Sequence, residues 1–205
     1  MDLKNSMLLA NMMSSKIPAI YKVLDWIQSK GTQYINTGIK LKNTSDIMLD
    51  CFYQAETTIA FFVGYYNSPI SNSYMIGHNS ASNTTNLQFT FGSQYKSLNF
   101  NDFSQRNIYE IKDDKAYING TLTHTFNSEV FETTENVLLF AGKYGSNIVK
   151  AKMQIYSYKV WDSGVLIQNL IPVRRLTDNE VGMYDTVSKT FFGNAGTGSF
   201  VGSDE

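Results

Sequence analysis

The last quarter of the chain constrains its fold most. Ala151 to Trp161 reads as one strand, Asp162-Ser163-Gly164 as a turn, and Val165 to Ile171 as a second strand running back. The same punctuation recurs upstream. Asn119-Gly120 separates Lys115-Ala116-Tyr117-Ile118 from Thr121–Phe126, and an Asn-Gly pair supplies the two positive φ angles of a tight hairpin. Leu87, Phe89 and Phe91 alternate with Gln88 and Thr90, which puts the apolar set on one face of a strand. Val137 to Gly142 and Ile59 to Tyr65 read as further strands. Ile47, Leu49, Cys51 and Tyr53 alternate with the largely apolar Met48, Asp50, Phe52 and Gln54, which predicts a strand buried on both faces.

Composition supports an all-β chain. Aromatic residues make up 14%, with 13 Tyr and 13 Phe, and such side chains suit a pleated, half-buried surface. The 205 residues are enough for one β-domain with a substantial core, and neither an internal repeat nor an interdomain linker interrupts them. Charged residues are only 17% and the net charge is -1, so Asn, Ser and Thr carry the polarity. Arg174-Arg175 is the sole basic cluster, which argues against nucleic acid as a partner. The single cysteine, Cys51, sits in an apolar stretch and reads as a buried structural thiol. No apolar run reaches the length of a membrane span, and the N-terminus lacks the charge pattern of a signal peptide. The three sequons, at Asn43, Asn83 and Asn119, are then chance matches in an Asn-rich chain.

Residues 1–18 differ from the rest. Leu3, Met7, Ala10 and Ser14 follow 4-3-4 spacing, and Leu8 and Met12 extend the same face. The spacing predicts a short helix ended by Pro18, too short to be stable alone. Leu3, Met7, Leu8 and Met12 are therefore candidate anchoring residues for a partner or for a homo-oligomer, with a locally docked terminus as the alternative. The domain proper spans 19–205. Further on, Thr177-Asp178-Asn179-Glu180 has the form of a capping box, and Gly182 limits it to one helical turn. Gly193-Asn194-Ala195-Gly196-Thr197-Gly198 is a glycine-rich turn; a phosphate loop would need a helix after it.

Two segments carry a family resemblance. The opening, Trp26-Ile27 through Gly31-Thr32-Gln33-Tyr34-Ile35-Asn36-Thr37-Gly38, and the closing run from Lys152 through Gly182-Met183-Tyr184-Asp185 to Phe200 resemble a concanavalin A-like, laminin-G-like jelly-roll domain. The resemblance covers about 21–202, strong at both ends and weak between. It implies a two-sheet antiparallel sandwich in which the terminal strands pair side by side and Trp26 is core. Domains of this group occur in bacteriophage virion proteins and in surface proteins of gut bacteria. The implied setting is a virion, as an accessory or displayed capsid or tail protein whose partners are other virion structural proteins. A carbohydrate-binding module of a bacterial surface protein and a glycoside hydrolase are the alternatives. The resemblance also leaves open a calcium ion at the sandwich rim, held by hard oxygen ligands from separated loops; no linear motif assigns it.

Catalytic patterns are weak. Glycanases of this fold set carboxylates on alternate positions of one strand. Glu110-Ile111-Lys112-Asp113-Asp114 has other spacing and reads as a solvated loop, while Asp46 and Asp50 read as turn and strand-edge residues. His78 and His124 neighbour no nucleophile elbow, and zinc-ligand spacing is absent. The expectation is therefore no catalysis. Sugar binding needs aromatic faces with amides beside them. The Asn/Ser-rich stretch from Tyr66 to Asn86 offers this mixture, and Tyr65, Tyr66, Asn67, Tyr74, His78 and Asn79 are the candidate ligand-binding residues, with Asn83 nearby. Adjacent tyrosines at a strand end also serve as core and rim packing. Trp161, before a turn, and Arg174-Arg175 are further surface candidates, for which edge packing and ordinary ion pairing are the alternatives.

Overall fold

The computed structural model describes residues 17–53, 58–79 and 84–205. The predicted N-terminal helix and its candidate anchors Leu3, Met7, Leu8 and Met12 lie outside the described residues, as does Asn83. Within them the chain is all β, in nineteen strands without a helix. The first half contains β1 (Tyr21–Val23), β2 (Ile27–Lys30), β3 (Ile35–Asn36), β4 (Ser45–Tyr53), β5 (Ala60–Tyr66), β6 (Ser73–His78), β7 (Asn86–Gly92), β8 (Gln94–Asn99) and β9 (Arg106–Lys112). The second half contains β10 (Lys115–Ile118), β11 (Thr121–Thr125), β12 (Leu138–Leu139), β13 (Ala141–Tyr144), β14 (Asn147–Lys150), β15 (Lys152–Asp162), β16 (Val165–Arg175), β17 (Val181–Asp185), β18 (Phe191–Phe192) and β19 (Val201–Gly202).

These strands form two sheets. The first runs β11-β10-β9-β4-β15-β16-β17-β18, with β2 on β15, β1 on β16 and β19 on β2. The second runs β14-β13-β5-β6-β7-β8, with β12 joining β5 to β3. Pairing is antiparallel except between β13 and β5. The sheets pack through one apolar layer. Ile47, Leu49, Cys51, Tyr109, Tyr158 and Ile155 come from the first sheet; Phe62, Tyr74, Ile76, Phe89 and Phe91 come from the second. A large apolar side chain fully removed from water contributes about 1.5–3 kcal/mol, so this layer dominates the stability. Tyr74 adds a polar tie across it. Its hydroxyl donates to the Ser45 carbonyl at 2.8 Å, joining β6 to β4.

The hairpins follow their turn residues. Asn119 and Gly120 have φ of 50° and 76°, and Asn119 Oδ1 also accepts the Ile108 N–H at 2.8 Å. Asp113 and Asp114 form a like turn at 51° and 59°. Thr177 to Glu180 departs from the expected helical turn. Arg175 draws the Glu180 carboxylate to itself, and Asp178 Oδ1 accepts the Glu180 N–H instead. β4 also departs, in part, from burial on both faces. Its inward side chains are fully covered, while Met48 and Phe52 are only half-buried on the outer surface of the first sheet. Asp50 is buried there because Arg106 grips it with two hydrogen bonds, at 2.7 and 2.5 Å, while stacking over Tyr156 at 3.9 Å.

The two signature segments meet in space. β19 pairs with β2, and Gly196 and Thr197 lie against Thr32. Asn194 Oδ1 accepts the Tyr34 N–H, and Gln33 Nε2 donates to the Thr197 carbonyl. A Cβ on Gly196 would come 2.2 Å from the Thr32 carbonyl oxygen, so only glycine allows this approach. Beyond it Asp204 pairs with Arg174 at 2.8 Å and Lys22 at 2.7 Å.

Two outcomes test this account. Tyr74→Phe removes the inter-sheet tie and leaves a buried carbonyl with one partner fewer; the urea midpoint falls by the equivalent of about 1–2 kcal/mol. Arg174 and then Lys22 hold the Asp204 carboxyl well below the usual carboxylate range. Its contribution is complete above about pH 4, the unfolded value, and is lost as pH falls through the lower folded value. Asp204→Asn therefore flattens the acid limb of the stability–pH curve and leaves its shape above pH 5 unchanged.

Candidate functional site

Period-2 alternation decides which tyrosines reach the surface. Tyr65 faces the core and its oxygen accepts from the Thr134 hydroxyl at 2.8 Å. Tyr66, the next residue, faces outward from the second sheet. A bulge on β5 sets this phase. Phe61 pairs with Gly77 and Val63 with Ile76, leaving Phe62 as the extra residue. Without that insertion Phe61 and Tyr66 would fall on opposite faces. With it they share the outer face, ring centroids 6.0 Å apart.

The parallel pairing of β13 with β5 then sets Tyr144 beside Tyr66, with centroids 5.4 Å apart. Gly142 makes room for Phe61 beneath them: a Cβ there would lie 2.6 Å from the Phe61 ring. Across β6 and β7 the outward residues are Met75, Gln88 and Thr90, all buried although they point away from the inter-sheet layer. Gln88 Nε2 donates to Thr90 Oγ1 at 3.0 Å, and Asn79 Nδ2 donates to Gln88 Oε1. Tyr95, opposite Thr90 on β8, completes the face and is 57% exposed.

The result is a cleft of about 200 Å³ lined by Ile59, Phe61, Tyr66, Asn79, Tyr144 and Val149. It carries no charged side chain. Burial pushes the Tyr66 phenol upward, and Tyr144 and Tyr95 add to the shift, so Tyr66 is a neutral hydroxyl at ordinary pH. Aromatic faces, an amide and a neutral hydroxyl suit a ligand with a C–H face and hydroxyl edges. The volume is below the roughly 300 Å³ of the smaller drug-sized pockets, which matches one ring rather than an extended ligand.

The six candidates from the sequence are therefore separated. Tyr66 and Asn79 line the cleft. Asn67 is half-buried in the following loop, where its amide donates to Ser71 at 3.0 Å. Tyr65, Tyr74 and His78 are interior. For these three the surface role is corrected: Tyr74 spans the sheets, and His78 Nδ1 lies 2.8 Å from the Thr58 carbonyl with its ring against Tyr53 and Phe103. Tyr144, Tyr95, Phe61 and Val149 were missed, because they arrive through a bulge and a long-range parallel pairing that no local pattern announces.

Other candidates fall differently. Arg174 is engaged by Asp204 and Glu205, and Arg175 by Asp178 and Glu180. Trp26, expected in the core, is half-buried on the outer surface of the first sheet, because Leu24 and Ile27 take the inward positions on either side. Cys51 is enclosed in the core, and burial, with Asp50 beside it, pushes its thiol upward, away from the reactive thiolate. Among the described residues no three His, Cys, Asp or Glu gather as metal ligands. No family model matches the sequence, and no curated protein matches it either.

Gly142→Ala should destabilise the protein by about 1–3 kcal/mol through overpacking against Phe61. Phe61→Leu in the same chain should recover part of that loss. Strictly additive denaturation midpoints would mean that the two residues are not coupled.

Proposed function

We propose that this chain is a non-catalytic component of a bacteriophage virion that displays a concanavalin A-like jelly-roll for adhesion to host or mucosal glycans. The observation that carries the binding role is the uncharged cleft between Tyr66 and Tyr144, with Asn79 at its wall. The sugar's C–H face lies on the tyrosine rings, and its hydroxyls meet the Tyr66 phenol and the Asn79 amide oxygen. Gln88 takes one of the two Asn79 Nδ2 hydrogens, so the Asn79 amide offers its oxygen and its second N–H to a ligand. The two-sheet sandwich and the meeting of β2 with β19 are compatible with the jelly-roll topology and agree with the resemblance of the opening and closing segments. The virion setting rests on that resemblance. In this reading residues 1–18 attach the domain to other virion proteins through Leu3, Met7, Leu8 and Met12.

The test is a glycan array probed with multimerised protein, with and without calcium. Selective binding is expected, reduced at least tenfold by Tyr66→Ala, Tyr144→Ala or Asn79→Ala at unchanged thermal midpoint. Silence across a validated array, or binding indifferent to all three substitutions, would overturn the site. Release of reducing ends from bound polysaccharide would overturn the non-catalytic assignment.

A further inference from the structure

A larger cleft, of about 710 Å³, opens on the outer surface of the other sheet. It lies where β9, β4 and β15 run side by side and is bounded by the turns before β4 and after β15. Trp161 stands directly opposite Asp46 across the β4–β15 pairing, and Glu110 lies on the next strand, opposite Met48. Lys112, Asn43 and Thr44 complete the polar wall.

Thr44 spends its hydroxyl on Asp162, whereas the charged groups of the cleft are only partly used by the fold. Asp46 Oδ1 accepts the Asp113 N–H at 3.0 Å, while its other oxygen has no hydrogen-bond partner among the described residues. Neither Glu110 nor Lys112 has an ion-pair partner among them, although the two sit on one face of β9. Burial raises the Asp46 carboxyl above its ordinary value; the Asp113 N–H it accepts and the Lys112 charge oppose the rise, and the carboxylates of Asp113 and Asp114 add to it. A half-desolvated carboxylate with a free oxygen gains when a ligand brings hydroxyl or amine donors. A half-buried indole beside it supplies a flat apolar platform.

We propose that the Trp161 cleft is a second saccharide subsite, which stacks a pyranose on Trp161 and hydrogen-bonds its hydroxyls or amine to Asp46 and Glu110. The proposal rests on the glycan-binding reading above and assigns it a second, differently charged site. Three carboxylates and one ammonium line this cleft, so neutral and amino sugars are favoured and uronates repelled. The tyrosine cleft has no such bias. Because the two clefts lie on the outer surfaces of opposite sheets, which pack about 10 Å apart, a short saccharide occupies one or the other. A single domain can then hold two glycan chains at once and gain avidity without a second subunit.

The chain has two tryptophans, so Trp26→Phe leaves Trp161 as the sole indole reporter. The experiment follows Trp161 emission during titration with methyl glucoside, methyl galactoside, N-acetylglucosamine, glucosamine and glucuronate. A saturable change with a neutral or amino sugar is expected, at least tenfold weaker with glucuronate. Asp46→Asn and Glu110→Gln should weaken it at least tenfold, and Tyr144→Ala should leave it unchanged. A response abolished by Tyr144→Ala but kept in Asp46→Asn would overturn the subsite and leave the tyrosine cleft standing. A silent Trp161 alongside positive array binding would do the same. Silence in both experiments would remove the glycan reading with it.

Discussion

One constraint organises the molecule: the central strands of both sheets turn alternate side chains into one shared apolar layer. The layer is unusually aromatic, with Phe62, Phe89, Phe91, Tyr74, Tyr109 and Tyr158 all fully buried. Because strand side chains alternate, filling that layer also dictates what appears outside. Tyr65 goes in, so Tyr66 comes out; Tyr74 goes in, so Met75 comes out. The outer cleft is thus a by-product of core packing made usable by three devices: the Phe62 bulge, the Gly142 relief beneath Phe61, and the parallel approach of β13.

The fold is closed at its ends by polar contacts as well as apolar ones, the latter led by Phe200, whose ring lies 4.8 Å from that of Phe140. Gln33 and Asn194 each serve backbone groups of the opposite terminal segment, and Arg174 gathers the last two residues. These bonds stand in for a disulfide in a chain with one cysteine, itself enclosed in the core. The arrangement leaves both outer sheet surfaces free of the termini's closing contacts at the Tyr66 and Trp161 clefts.

Much of the architecture was legible in the sequence. The Leu87–Phe91 alternation, the Asn119-Gly120 hairpin and the Asp162-Ser163-Gly164 turn all encode local geometry in local residues. The candidate cleft was legible only in part. Tyr66 and Asn79 were within reach because they sit in the Asn/Ser-rich stretch, but Tyr74 and His78 in the same stretch lie in a strand whose every residue is buried. Tyr144 stands 78 positions after Tyr66 and joins it through a pairing that local periodicity cannot reveal. Likewise Asp46, Glu110 and Trp161 read as a turn residue, a solvated loop and an edge packer when taken singly; only the strand order β9-β4-β15 puts them around one cleft. The capping box shows the reverse failure, since a valid local motif lost its glutamate to a nearby arginine.

The most direct test of the central claim is backbone amide chemical-shift mapping during titration with a fragmented capsular or mucosal polysaccharide. The account predicts saturable shifts concentrated at Ile59, Phe61, Tyr66, Asn79, Tyr144 and Val149, with Tyr65 and Tyr74 shifting little beside them. Shifts confined to other surfaces, with this group unmoved at saturation, would contradict it.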